Sequence, residues 1–346
     1  LALGFIPLIR AFRARRRLDE AQYRRRLIRA VGVLIGVILF MIAFNVFAGL
    51  FTEFLWFRQL DYSGRFLTAL RFEVVLYFVG FLIALLFIYF NVRFAFGKIE
   101  TKLRRFAAFP LSLVLALLLA VSTSNMWEEF LLFFNQAQSP LADPLFGKPI
   151  NFYLFSLPLY SSLIVWLMLV FVLTLGIVGL SLLRLVRGEG QVGITEESEE
   201  TRRSAVLALS RQLMILTALP LFVLTWNSVL NIYRLMFSDW GVVYGAGYVD
   251  ANIRLIAHAI TAGALGITGV LLLIAAAKTS FRRKIFGFRA QEGGGVQVTG
   301  KIFVLPAVLI GTIVLVTAIV PGIVDALVVK PNEITLEEPY LAHNIE

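Results

Sequence analysis

The chain of 346 residues contains no cysteine and only two histidines, His258 and His343. Without cysteine it has no disulfide, no thiolate nucleophile and no thiolate ligand for a metal. Two histidines cannot form a histidine-rich metal site, and the glycines of YGAGYVD lack the preceding strand and following lysine of a phosphate-binding loop. We therefore expect no metal, no cofactor and no catalytic residue of these kinds.

Charged residues are scarce, at 16% of the chain, whereas a soluble domain has about a quarter. Hydrophobic residues make up 59%, and they lie in seven runs of roughly 20 residues, the length at which a helix crosses about 30 Å of hydrocarbon. These runs cover residues 30–51, 74–92, 106–125, 157–183, 205–226, 255–277 and 302–320. Because lipid forces each run to satisfy its own backbone hydrogen bonds, the sequence predicts an all-α membrane protein with seven transmembrane helices.

The basic residues predict how the chain is oriented. With the N-terminus inside, the inner segments contain 24 lysines and arginines and the outer segments contain 7, while Arg211 lies within the fifth span. A bias of this size indicates a bacterial cytoplasmic membrane, with the N-terminus in the cytoplasm and the C-terminus extracytoplasmic. The net charge of +10 does not predict nucleic-acid binding, because the arginines flank apolar spans and no soluble module remains.

The predicted outer loops carry the aromatic residues and several acids. Loops 140–158 and 239–254 are too apolar to move freely in water, so we expect them to be ordered and packed on each other and on a strap formed by residues 321–346. We call these three segments the cap. We predict a surface for an outer domain or partner formed by Trp56, Trp127, Asp143, Phe146, Phe152, Tyr153, Trp240, Tyr244, Tyr248 and Asp250.

Four segments carry a resemblance to a known family: FTEFLWFRQLDYSGRFLTALRFEVVLYFVG, DPLFGKPINFYLFSLPLYSSLIVWL, VVYGAGYVDANIRL and PGIVDALVVKPNEITLEEPYLAHNI. Together they resemble an uncharacterised protein family of large bacterial membrane proteins. The resemblance implies about seven N-terminal spans followed by a large extracytoplasmic domain, and it implies no activity. The sequence predicts a basic cytoplasmic or interfacial helix over 1–29 and a transmembrane domain over 30–320. The resemblance implies that an outer strap over 321–346 leads toward a missing outer domain.

Polar groups inside the spans are few. No Asp or Glu lies within the seven apolar cores, which argues against proton- or sodium-coupled transport. Arg211 lies about 12 Å into the fifth span at 1.5 Å per residue. It is a candidate intramembrane polar site, either for a substrate anion or as a side chain that extends back to the inner headgroups.

Three functional hypotheses follow from these features. The first is a membrane scaffold that contacts membrane lipids and anchors an extracytoplasmic domain or partner subunits of an envelope complex. The second is a transporter or channel for a lipid-like or apolar substrate, which predicts a cavity lined by Arg211. The third is a membrane enzyme that acts on an envelope lipid or glycan, which predicts outer carboxylates converging on a pocket. The sequence favours the first hypothesis, and it argues against the third, in which the protein is an enzyme.

Overall fold

The computed structural model describes residues 6–7, 19–97, 102–186, 196–241, 244–278, 280, 288–290, 296–298 and 304–345. The chain divides into two compact units, Leu1–Arg71 and Phe72–Glu346. Among the described residues, seven helices are long and apolar enough to cross a membrane. The predicted all-α, seven-span fold class is therefore confirmed.

The helices that precede the seventh span are α1 Glu20–Gln59, α2 Ser63–Gly97, α3 Lys102–Ser124, α4 Trp127–Phe134, α5 Leu157–Val186, α6 Glu196–Arg234 and α7 Leu255–Ala277. Six of them are long enough to form a span, and α4 is a short helix between α3 and α5. The π turns Phe152–Ser156 and Asp250–Arg254 lead directly into α5 and α7. Most helices extend beyond the predicted apolar runs, because hydropathy identifies only the part of a helix that lies in lipid.

The seventh span is much longer than residues 302–320. It consists of α8 Val304–Val314, α9 Val320–Val324 and α10 Glu333–Ile345, joined by helical turns at Leu315–Ile319, Asp325–Val329 and Lys330–Asn332. We call residues 304–345 the last helical segment. Pro321 and Pro331 each lie near the start of a helical piece, directly after residues that are themselves helical. Residues 321–345 of the predicted strap are therefore helical.

The N-terminal unit contains α1 and the start of α2. The carboxylate of Asp19 caps α1 by accepting the Glu20 N–H at 3.0 Å, a standard way to satisfy the first free donors of a helix. The helix then runs without a break across the predicted domain boundary at residue 29. Residues of the predicted N-terminal helix before Asp19 lie outside the described residues, except Ile6 and Pro7.

The core of the larger unit is formed by α2, α3, α5, α6 and α7. Ile88, Val92 and Val170 are buried in one cluster, next to Trp166, whose indole N–H donates to the Leu119 carbonyl at 3.1 Å. Close approach of α6 and α7 depends on Gly269, where an added Cβ would lie 3.0 Å from the ring of Phe222. Small residues of this kind let membrane helices pack tightly.

Two short antiparallel strands lie between α7 and the last helical segment. Strand β1 is Phe288–Ala290 and β2 is Val296–Val298, with Phe288 opposite Val298. They belong to a segment that the sequence predicts to be a basic inner loop.

Candidate functional site

The first cap loop, residues 140–158, is organised around the carboxylate of Asp143. Asp143 accepts the N–H groups of Leu145 at 2.9 Å, Lys148 at 2.7 Å and Phe146, and also the hydroxyl of Tyr153 at 2.8 Å. The Asp143 N–H in turn donates to the Lys148 carbonyl at 2.8 Å. With all these donors directed at it, Asp143 organises the loop and is not available as a catalytic base.

The same contacts set the acidity of Asp143. Partial burial acts to raise the pKa of its carboxyl, but the backbone N–H bonds and the Tyr153 hydroxyl outweigh burial and hold the pKa below its ordinary value of 3.8. Hydrogen bonds to the charged form favour ionisation. The loop is therefore stabilised by a carboxylate that stays charged at neutral pH.

This loop packs on the end of α6. The rings of Phe146 and Phe152 meet the ring of Tyr233 edge to face, with centroids 5.3 and 5.1 Å apart. Tyr153 meets Phe237 in the same way at 5.7 Å. Edge-to-face pairs of this kind add about 0.5–1.5 kcal/mol each beyond the area that they bury. Four of the residues predicted for the partner surface are thus brought together here.

The second cap loop, residues 239–254, is hydrogen-bonded to the last helical segment. The N–H of Tyr248 donates to both carboxylate oxygens of Glu337, at 3.1 and 3.2 Å, and Glu337 is only 6% exposed. The ring of Tyr248 meets that of Tyr340, whose hydroxyl accepts from the Asn252 amide at 2.8 Å. A Cβ on Gly247 would lie 2.9 Å from the Glu337 carboxylate, so glycine permits this close approach.

A buried ion pair follows at the start of α7. Asp250 is 2% exposed, and its carboxylate lies 2.8 Å from the guanidinium of Arg254 one helical turn later. That guanidinium stacks over the ring of Trp240 at 4.4 Å. The pair and the ring hold one another in place, because a planar guanidinium can bind a carboxylate and stack on an aromatic face together.

Arg234 has a different environment. Its guanidinium donates to the hydroxyl of Ser161 at 2.6 Å and to the side-chain oxygens of Asn227, at 3.1 Å, and Asn231. All three acceptors are neutral, and among the described residues no carboxylate lies within 4.0 Å of Arg234. The side chain is half-buried. Neutral acceptors therefore hold the guanidinium of Arg234 in place, and no described carboxylate pairs with its charge.

Arg234, the Asp250–Arg254 pair and Glu337 line a cavity of about 870 Å³. The end of α6, the second cap loop, the start of α7 and the last helical segment all contribute to its wall. Its charged and titratable lining residues are Arg234, Asp239, Asp250, Arg254, His258, Asp325, Lys330, Glu333 and Glu337. A cavity of this size falls in the range of small-molecule sites. Within the described part of the chain, no three His, Asp or Glu side chains are arranged to hold a metal ion.

The other predicted residues lie apart from these contacts. Trp56 is exposed near the end of α1, and Trp127 is the partly buried first residue of α4. Tyr244 is 67% exposed. Arg211 is an exposed residue of α6 and is not part of the cavity wall. Its neighbour Gln212 instead donates to the Asn91 side chain at 3.0 Å, joining α6 to α2.

Sequence reasoning missed Arg234, Arg254, Glu337 and Tyr340 as site residues. A signal was present for Arg234, because Asn227, Asn231 and Arg234 are spaced to share one face of a helix. Asp250 and Arg254 also have the four-residue spacing of a helical ion pair. No local pattern marks Glu337, whose partner is 89 residues away.

One family model matches most of the chain. The model described as "Uncharacterised protein family (UPF0182)" matches residues 30–346. The chain belongs to this family. The resemblance drawn from the four sequence segments is therefore confirmed.

Similar proteins come from several bacteria. A UPF0182 protein of Clavibacter sepedonicus is 29% identical over 325 residues, which is 88% of this chain and 31% of the relative. A UPF0182 protein of Salinibacter ruber is 30% identical over 348 residues, 93% of this chain and 33% of the relative. The chain thus spans about a third of the length of these relatives. No solved structure matches it.

Proposed function

We propose that this chain is the membrane part of an envelope scaffold, whose cap holds an extracytoplasmic domain or a partner protein. In this proposal the seven helices lie in a bacterial cytoplasmic membrane, with the N-terminus in the cytoplasm and the cap outside. The observation that carries the proposal is the attachment of the second cap loop to the last helical segment through Glu337 and Tyr340. That attachment gives a preorganised surface, which lowers the cost of binding a partner.

The cap also exposes large apolar side chains. Trp240 is 77% exposed, Tyr244 67% and Leu141 64%. Outside lipid, such side chains are a liability unless something covers them. The relatives are about three times as long as this chain, so a covering domain in the same protein or in a partner is consistent with their length.

The scaffold can be tested by adding charge to the cap surface. We expect the double variant Leu141→Asp, Tyr244→Asp to lose proteins that cross-link to the wild-type protein in native membranes. Both side chains are exposed, so the melting temperature should stay unchanged. Thr201→Asp is the matched control, because it adds a charge at an exposed site near the opposite end of α6. An identical set of cross-linked proteins in the double variant and the wild type would contradict the scaffold.

The proposed orientation has its own test. Reporter fusions after Lys98, Arg187 and Lys284 should report cytoplasm, and fusions after Asp61, Lys148 and Tyr244 should report the outside. The expectation rests on the 24-to-7 distribution of basic residues. One reversed pair of neighbouring loops would break the seven-span arrangement.

A second candidate function is an enzyme that acts on an envelope lipid or glycan. It is favoured by the carboxylates that line the cavity. Asp250 and Asp325 are paired with Arg254 and Lys330, which leaves Asp239 and Glu333 as candidate proton donors or acceptors. The combined variant Asp239→Asn, Glu333→Gln should then abolish turnover while cross-linked partners remain.

Transport is less favoured, because Arg211 does not line the cavity.

A further inference from the structure

The cavity contains one cation that the described residues leave without an anion. Arg234 has five N–H donors, and its acceptors are two amides and a hydroxyl. A half-buried guanidinium is costly to desolvate unless a negative charge approaches it. Its three neutral acceptors fix its orientation and leave its charge available to a ligand. Arg234 is therefore suited to bind a phosphate group, which matches the fork of a guanidinium.

The other charges of the wall divide into two groups. Asp250 and Asp325 are neutralised by Arg254 at 2.8 Å and Lys330 at 3.1 Å. The remaining carboxylates have no basic partner within 4.0 Å among the described residues; they are Asp239, Glu333 and Glu337. Glu337 is occupied by the Tyr248 N–H, whereas Asp239 and Glu333 are exposed. A ligand with only negative charge would meet these two acids unfavourably, but a ligand that also carries an ammonium would satisfy them.

The cavity also has an apolar side between two helices. Ala257 of α7 faces it, together with Thr317, Ala318, Pro321 and Gly322 of the last helical segment. A Cβ added to Gly322 would meet no atom within 4 Å. Small residues beside open space leave room for a hydrocarbon chain to pass toward the lipid-exposed surface of the last helical segment.

We propose that this cavity binds a zwitterionic lipid with a phosphate and a primary amine in its head group. The phosphate binds Arg234, the ammonium binds the exposed carboxylates of Asp239 and Glu333, and the acyl chain leaves past Gly322. Leu141 and Tyr244 do not line this cavity, although Trp240 belongs both to its wall and to the exposed cap surface. The lipid site goes beyond the scaffold proposal, since a scaffold needs no specific lipid.

The test uses the purified full chain and native mass spectrometry with lipids of identical acyl chains. We expect phosphatidylethanolamine to bind at least about tenfold more tightly than phosphatidylcholine or phosphatidylglycerol. Arg234→Gln should weaken that binding by about tenfold or more. Arg211→Gln is the control, because it removes an exposed arginine of the same helix that does not line the cavity.

A second pair of variants keeps the test independent of the hydrogen bonds of Arg234. Gly322→Leu should obstruct the acyl path and weaken binding, whereas Gly311→Leu should not. Both glycines lie in the last helical segment with space for a side chain, but only Gly322 lines the cavity.

Three results would overturn the proposal. The first is binding that is unchanged in both Arg234→Gln and Gly322→Leu. Equal binding of phosphatidylglycerol would exclude a role for the amine. Soluble O-phosphoethanolamine that binds as tightly as the lipid would show that a free phosphate compound, and not a lipid, is the ligand.

Discussion

Helix α7 and the last helical segment are similarly apolar but packed very differently. Their most apolar windows have mean hydropathies of 2.2 and 2.6, yet 44% of the window is buried in α7 and only 6% in the last helical segment. Hydropathy therefore identifies both as membrane helices and says nothing about which of them forms the core.

The difference lies in side-chain size. Helix α7 presents Ala257, Thr261, Thr268 and Gly269 to its neighbours, and all are buried. The last helical segment exposes large side chains such as Val308, at 60%, and Ile310, at 61%. In lipid, apolar area gives no driving force for helix association, so close packing needs small residues. At its cap end, the last helical segment is fixed by the carboxylate of Glu337 and the ring of Tyr340.

The largest expected loss of stability is that of a leucine introduced at a close contact of α7, which is compared with the same substitution in the last helical segment. Gly269→Leu would force a side chain against Phe222, where even a Cβ lies at 3.0 Å. We expect it to lower the free energy of unfolding by about 2–3 kcal/mol, the usual cost of overpacking. Thermal unfolding of the purified protein in detergent would measure this loss.

Gly311→Leu is the counterpart in the last helical segment. A Cβ at Gly311 meets nothing within 4 Å, and leucine is a better helix former than glycine by up to about 1 kcal/mol. We expect unchanged or slightly higher stability. Equal losses from the two substitutions would show that the last helical segment is packed as closely as α7.

A smaller effect should follow from releasing the cap end of the last helical segment. Glu337→Ala removes the carboxylate that accepts the Tyr248 N–H and leaves that donor unsatisfied, at a cost of about 1–3 kcal/mol. Hydrogen exchange should rise in residues 244–252 and 333–345 and stay constant in α7. Gly247→Ala should act in the same direction, because its Cβ would displace Glu337. Faster exchange throughout α7 would contradict local release.

Much of this architecture could be predicted, because lipid imposes simple rules on the sequence. Runs of about 20 apolar residues specify helices wherever they occur, and all seven are found. The end of the seventh span could not be predicted. Residues 321–345 are polar enough to end a hydrophobic run, but Pro321 and Pro331 begin helical turns rather than stopping the helix.

The site was harder to predict than the fold. Asp143, Phe146, Phe152 and Tyr153 belong to one short segment, and all four were among the ten residues predicted for the partner surface. Glu337 and Tyr248 are far apart in the chain and meet only through the packing of α7 and the last helical segment. Arg234 contributed to the sequence reasoning only as one basic residue in an outer loop. Its role depends on Ser161, which lies 73 residues away on α5.

The first cap loop provides a comparison within the cap, because it is stabilised by its own carboxylate and not by the last helical segment. The pKa of Asp143 lies below its ordinary value in the folded loop, so the charged carboxylate stabilises the loop at neutral pH. That stability is lost as the pH falls below about 3.8 through the lowered pKa. The protection of residues 141–150 against hydrogen exchange, relative to the intrinsic rate at each pH, should therefore fall in acid.

Asp143→Asn should remove this pH dependence and loosen the loop at pH 7, by about 1 kcal/mol. Residues 333–345 should be unaffected, since the described contacts of the loop run to α6. A loop that keeps its protection in acid in the wild-type protein would show that Asp143 does not control it.

The smallest expected effect is the loss of one hydroxyl from the last helical segment. Tyr340→Phe keeps the ring against Tyr248, with centroids 6.2 Å apart, and removes only the acceptor of the Asn252 amide at 2.8 Å. Asn252 is exposed and also donates to the Tyr248 carbonyl at 2.9 Å, so water can replace the lost partner. We expect a change of about 0.5 kcal/mol or less, visible as slightly faster exchange in residues 333–345. Tyr340→Ala, which also removes the ring contact, should cost about 0.5–1.5 kcal/mol more. If the two variants lost the same stability, the hydroxyl and not the ring would hold this end of the last helical segment.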